Sequence, residues 1–360
     1  MREMQHGGNI WLAERVYGIK KERMLDFSAN INPLGPSPRA MEALQNTLVN
    51  IKHYPEPQAE SLRQEIARLI NLPEEMIILG NGAAELIYAL GRVMKPRRVL
   101  VPVPTFSEYA GGFAGFPLVE VPLPKENNFA IEPDRLVDLL QPGDLLVLCN
   151  PNNPTGQLID RDKLNPLVKR AREVGAWLMT DEAFMDFVRP EQSLLPELAA
   201  NPHLLVLRSL TKFYALPGLR LGYLAAAPEM IKGLSDALPP WRVNMPAQVA
   251  GLVSLRDRAY REKTLELINS QRSFLTVGLA AIPGLKPFSA AANFVLVDCS
   301  GSGYTAGQIQ DFLGPKGILI RQCNNFAGLG RSYFRAAVRT QEENTVLLHL
   351  LRQIMAEGLL

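Results

Sequence analysis

The tightest constraint in this chain is a series of short apolar runs, each followed by a turn and an amphipathic helix. The clearest run is Leu145-Leu146-Val147-Leu148, and similar runs occur at 77–79, 98–101, 118–121, 176–180, 204–207 and 221–225. A run without polar alternation is characteristic of a strand buried on both faces. Such strands separated by helices need crossover connections. They therefore predict a mainly parallel sheet with helices on both sides. In sheets of this kind ligands sit beyond the carboxyl ends of the strands. The turns after the strands are the places to look for chemistry.

The chain changes texture after Pro239-Pro240, which predicts a domain boundary. A long helix is expected over 246–280, interrupted near 255–260. Strands are expected at 293–297, 318–321 and 333–338, with helices at 306–313 and 342–355. This second part reads as a compact α/β domain. A length of 360 residues suits one large domain and one smaller one.

Composition removes several function classes. The net charge of +2 offers no general attraction for nucleic acid or an anionic membrane. The three cysteines are scattered and odd in number, which favours a reducing cytoplasm over a disulfide framework. None of the four histidines has metal-ligand spacing, so no protein-bound metal is expected. No apolar run reaches transmembrane length, and the polar start of the chain does not read as a signal peptide.

Several turns carry functional groups. Ser209-Leu210-Thr211-Lys212 follows one strand, and Arg220 lies eight residues after Lys212. A lone lysine in a loop is ordinarily a solvated surface group. Here Leu210, Phe213, Leu216 and Leu219 surround it, and a second cation is near. Both effects lower a lysine pKa and leave an amine that can attack a carbonyl. Asn150-Pro151-Asn152-Asn153 follows the 145–148 run, as a stiff turn able to present amides. Asp181 ends the next strand, where a carboxylate needs either a partner or a helix-capping role. Gly82-Ala83 opens a helix after a strand, which leaves backbone N–H groups for a phosphate. At the N-terminus, His6-Gly7-Gly8-Asn9 can lie close to a ligand or form a disordered tail.

Taken together, Asn153, Asp181, Lys212 and Arg220 resemble the aminotransferase class I/II family of fold-type I pyridoxal-phosphate enzymes, over nearly the whole chain. The resemblance implies an α/β fold with a large cofactor domain at 37–240, a small domain at 241–360 and an arm at 1–36 that covers the active site. It implies that Lys212 binds pyridoxal phosphate covalently and that Asp181 pairs with the ring nitrogen. Asn153 would bond the ring 3-oxygen and Phe106 would stack on the ring. Ser209, Arg220 and the backbone of Gly82 and Ala83 would hold the cofactor phosphate, with Tyr54 reaching it from a second subunit of a homodimer. Arg335 would grip a substrate α-carboxylate. One position departs from the family pattern: Phe184 stands where a tyrosine is frequent. The segments around His6, Asn30 and Arg321 resemble the branch of the family that decarboxylates L-threonine O-3-phosphate for cobalamin biosynthesis. That implies substrate contacts from His6, Gly7, Asn30, Asn153 and Arg321. The histidinol-phosphate aminotransferase branch is the nearest alternative, and a cofactor-fold sensor is the non-enzymatic one.

Overall fold

The structure is a computed structural model, and it describes residues 7–357. Seven strands form the main sheet. Their spatial order is Ile77–Asn81, Leu221–Ala225, Leu204–Ser209, Trp177–Asp181, Leu145–Cys149, Val99–Val103 and Leu118–Pro122. All run the same way except Leu221–Ala225, which is antiparallel to both neighbours. Side chains alternate between two cores. Leu145 and Val147 face the cluster that contains Leu86 and Leu90 of helix Ala83–Val93. Leu146 and Leu148 face the cluster built on Leu164 and Leu167 of helix Arg161–Val174. Both faces are thus covered, which is why the strand reads as an unbroken apolar run.

The antiparallel strand has a consequence for the site. Six strands bring their carboxyl ends to one rim of the sheet. The reversed strand brings its amino end there instead, and so delivers Arg220. Its register, Gly222 opposite Ser209 and Leu221 opposite Asn81, places that arginine among the turns singled out above.

A smaller antiparallel sheet has the order Arg321–Gln322, Tyr333–Ala337, Phe294–Asp298, Lys286–Pro287. Helices Arg258–Ala280 and Gln341–Glu357 cover it, and Leu275, Leu347 and Leu351 share a core with Phe294 and Val295. Asp257 breaks the long helix and caps its second half by accepting from Tyr260 N–H.

The strand expected over 318–321 is two strands. Ile318–Leu319 pairs in parallel with Leu25–Asp26, whereas Arg321–Gln322 joins the small sheet. Gln310 holds the break, because its amide accepts from Ile320 N–H at 2.7 Å and donates to Ile318 C=O at 3.2 Å. The apolar pattern continues across the break because both halves are buried. The helix after Val99–Val103 is short and runs from Glu108 to Gly112.

Candidate active site

A cavity of about 420 Å³ opens at this rim. Asp181, Lys212, Asn153, Ser209, Arg220, Ala83 and Phe106 line it from the main sheet. Arg321 and Arg335 line it from the small sheet, and Gly7 and Asn30 from the N-terminal segment. Residues separated by up to 328 positions therefore converge. His6 lies outside the described residues. Tyr54 does not reach the cavity of its own chain; it is 80% exposed and packs on Trp241, with ring centroids 5.0 Å apart.

Lys212 stands in the turn after Leu204–Ser209, flanked by buried Leu210 and Phe213. Loss of water contact pushes its amine down to about 8, with Arg335 and Arg220 adding repulsion and Asp181 opposing. The turn is held from behind by Asn32. Asn32 N–H donates to Lys212 C=O at 3.1 Å, and its Nδ2 donates to Phe213 C=O and to Thr264 Oγ1, each at 2.8 Å. One asparagine thus fastens the lysine turn to the long helix.

Asp181 is almost fully buried, and burial pushes its carboxyl up. The hydrogen bonds that offset this come from Tyr109 Oη–H to Oδ2 at 2.8 Å and Ala183 N–H to Oδ1 at 2.9 Å. Neither partner is a cation, and among the described residues Asp181 has no ion pair within 4 Å. The sequence reading called for a charged partner or a helix-capping role. The structure supplies a buried phenol and a turn amide as hydrogen-bond donors, and the nearby Lys212 charge also favours the carboxylate. Burial holds the Tyr109 phenol well above its ordinary pKa, so it stays a donor. Phe106 meets Tyr109 edge-on at 5.7 Å.

A cluster of donors lies across the cavity. Ser209 Oγ and Thr211 Oγ1 are 2.7 Å apart. Helix Ala83–Val93 starts without a side-chain cap, leaving its first N–H groups for a ligand. Gly82 has φ 86°, and a Cβ there would stand 2.9 Å from Arg220 Cζ. Glycine is what lets the guanidinium lie against the turn. Arg220 itself has φ 59°, a conformation few side chains adopt.

The second pole is formed by Arg321 and Arg335, which are paired in register on adjacent antiparallel strands. Side chains directly opposite each other share one face of the sheet and approach closely. Arg335 Nη2 donates to Ser28 C=O at 2.8 Å and Nη1 to Asn153 Oδ1, while its Nε is buried without a partner. Burial, with Arg321 adding to it, pushes Arg335 down to about 10. Arg321 Nη2 donates to Asn325 Oδ1 at 2.7 Å, and its guanidinium lies 5.0 Å from the Phe326 ring centroid. The resemblance assigned Asn153 and Arg335 separate ligands; here they bond one another.

The model of the aminotransferase class I and II family matches residues 22–351. The threonine-phosphate decarboxylase of Salmonella typhimurium is 38% identical over 354 residues, covering 97% of this chain and 96% of the relative. A histidinol-phosphate aminotransferase of Methanothermobacter thermautotrophicus is 32% identical, covering 94% and 91%. The crystal structure of a histidinol-phosphate aminotransferase from Clostridium acetobutylicum superposes with a TM-score of 0.87 at 30% identity, covering 93% of this chain and all of that one. The chain belongs to the aminotransferase class I and II family. The family fold is the one described above, with a mostly parallel sheet between helices.

The cavity fits pyridoxal phosphate, the cofactor of this family. It offers one amine of lowered pKa, a buried carboxylate kept in place by two donors, and a cluster of hydroxyl, N–H and guanidinium donors for a phosphate. Phe184 lines the cavity and meets Phe294 edge-on at 5.0 Å, so no phenol enters from that position. Sequence reasoning missed Tyr109, Asn32, Thr211 and Ser28. Tyr109 stands only three residues after Phe106, and that closeness in the chain was the available signal for a donor near the same ligand. Thr211 alternates with Ser209, which places both hydroxyls on one side of an extended turn.

Proposed function

We propose that this protein is a pyridoxal-phosphate-dependent carboxy-lyase that converts L-threonine O-3-phosphate to (R)-1-amino-2-propanol O-2-phosphate and CO2, in cobalamin biosynthesis. The observation that carries the reading is the register pairing of Arg321 with Arg335. Two guanidiniums side by side repel each other and call for a ligand with two anionic groups. Threonine phosphate has them a few bonds apart, a carboxylate on Cα and a phosphate on the Cβ oxygen. Histidinol phosphate has only one, whereas 2-oxoglutarate, the acceptor in its amino transfer, has two carboxylates, so sequence identity decides between the readings. The 38% identity to a threonine-phosphate decarboxylase along the whole chain supports the decarboxylase.

When bound, the cofactor supplies a sink for the electron pair left on Cα. Lys212 would hold it through Nζ, and Asp181 would face its ring nitrogen. Asn153 and Phe106 would set the ring plane, and Ser209, Arg220 and the Gly82-Ala83 backbone would bind its phosphate. Arg335 would take the substrate carboxylate, and Arg321 the substrate phosphate, with Asn30, Gly7 and His6 completing that side. Two anchored anionic groups remove free rotation about the substrate's own bonds, so the bond to the carboxylate can be held in the orientation for cleavage. Once CO2 has left, Lys212 Nζ would deliver a proton to Cα.

The arm at 1–36, the cofactor domain at 37–240 and the small domain at 241–360 complete the proposal. So does a homodimer in which Tyr54 reaches the cofactor phosphate of a second copy. The exposed apolar run of Leu48, Val49, Ile51 and Tyr54 supports that arrangement. Three free cysteines support a cytoplasmic location, and no described helix is long and apolar enough to cross a membrane.

The test is CO2 release from phosphothreonine by purified, cofactor-loaded protein, with and without 2-oxoglutarate, alongside histidinol phosphate. CO2 release independent of 2-oxoglutarate is expected, with none from Lys212→Ala. Amino transfer from histidinol phosphate that requires 2-oxoglutarate, with no CO2 from phosphothreonine, would refute it. Failure of the protein to acquire a cofactor absorbance band would point to the sensor instead.

A further inference from the structure

Ser28 lines the cavity, is almost fully buried, and joins three parts of the chain that are distant in sequence. Its hydroxyl has one hydrogen, which it donates to Asp26 Oδ1 at 2.5 Å, and its oxygen accepts from Gly8 N–H at 2.8 Å. Asp26 Oδ1 also accepts from Ser28 N–H at 2.8 Å. The Ser28 carbonyl accepts from Arg335 Nη2 at 2.8 Å. Gly7 rests on that same carbonyl: a Cβ on Gly7 would come within 2.6 Å of Ser28 C. Gly7 and Arg335 both line the cavity.

We propose that Ser28 is a positioning residue that ties the placement of Gly7-Gly8 to the aim of Arg335. The proposal rests on the reading of Arg335 as the group that meets the substrate carboxylate. The side chain and backbone of Ser28 do separate parts of the work. The hydroxyl fastens the N-terminal segment by its one contact to Gly8. The carbonyl is met both by Gly7 and by the Arg335 guanidinium, so a shift of Ser28 reaches both. Asp26 grounds the arrangement. It is paired in register with Leu319, and its carbonyl accepts from Arg339 Nη1 at 3.2 Å. The Arg335 fork is held by Asn153 and Ser28 alone among the hydrogen bonds of the described residues, and its Nε edge has no partner. Loss of the Ser28 geometry therefore frees half of the fork.

The experiment compares wild type, Ser28→Ala, Ser28→Thr and Arg335→Lys as loaded enzyme. Hydrogen–deuterium exchange is read on the N-terminal peptide containing Gly8, and KM and kcat on CO2 release from phosphothreonine. Ser28→Ala is expected to speed Gly8 exchange about tenfold and to raise KM about tenfold, with kcat falling less than about threefold. Ser28→Thr keeps the hydroxyl and is expected to restore both to within about threefold of wild type. Arg335→Lys is expected to speed Gly8 exchange as well, although Arg335 does not touch Gly8. Unchanged Gly8 exchange or unchanged KM in Ser28→Ala overturns the proposal. So does faster exchange in Ser28→Ala with none in Arg335→Lys, since Ser28 would then be a clasp for the segment only. A wild type that releases no CO2 from phosphothreonine overturns the functional reading separately, and the exchange comparison still decides the role of Ser28.

Discussion

Replacing Lys212 by methionine should stabilise the cofactor-free protein at neutral pH, although it removes the group on which the chemistry depends. Burial and two nearby guanidiniums bring the amine from its ordinary 10.5 to about 8. At 25 °C that difference corresponds to about 3 kcal/mol of unfavourable interaction with the charged form. The sign follows from proton binding. Below pH 8 both the folded and unfolded chains hold the proton, and the folded chain carries the whole penalty. Between about 8 and 10.5 the unfolded chain still binds a proton that the folded chain has released, so stability rises with pH. Above 10.5 both amines are neutral and the penalty is gone. Lys212→Met has no amine to titrate, so its advantage should be about 3 kcal/mol at pH 7, about 2 at pH 9 and about 1 at pH 10. Chemical denaturation of stripped wild type and variant at these three pH values measures the gap directly. Other groups that titrate in alkali are common to both proteins and cancel. An advantage that stays constant with pH would show that it comes from packing of the methionine. The electrostatic account of Lys212 would then fail.

Three further outcomes are expected. Arg321→Gln should cost about 2–3 kcal/mol in kcat/KM on phosphothreonine, seen mostly as a higher KM, because a charge-assisted contact to the substrate phosphate is lost. Tyr109→Phe leaves Asp181 Oδ2 buried without its phenol donor, at a cost of about 1–3 kcal/mol in stability by denaturant melt, and should weaken cofactor retention on gel filtration. Gly82→Ala puts a side chain into the Arg220 guanidinium at φ 86°; cofactor affinity, measured by absorbance titration, should fall at least tenfold while the circular dichroism spectrum is unchanged.

Much of the main sheet was legible because its strands carry their environment in their own residues. Leu145–Cys149 is apolar at every position since both faces are covered. Helix starts were less legible. The one at Ala83 has no capping side chain, and only the small residues Gly82-Ala83 after an apolar strand marked it. The break at Ile320 left no mark either, because both halves of the run are buried, in different sheets. Among site residues, Lys212, Asp181 and Asn153 were visible as polar groups in turns after apolar strands. Tyr109 and Asn32 were not. Each acts on another residue rather than on a ligand, and its partner is found only through space, 72 positions away for Tyr109 and Asp181.

By itself the sequence determined a sheet with two covered faces, the rim at which chemistry must lie, and the kinds of group available there. These are local properties: burial shows in hydrophobic pattern, and reactivity in residue type. The tertiary structure alone decided that the strand at 221–225 runs backwards and so delivers Arg220 to the rim. It decided that Arg321 stands opposite Arg335, and that the donors to Asp181 are a phenol and a turn amide. Strand direction and register emerge from packing the whole chain at once, and no single segment contains them. Register is also what turns two separate arginines into one site for a ligand with two anionic groups.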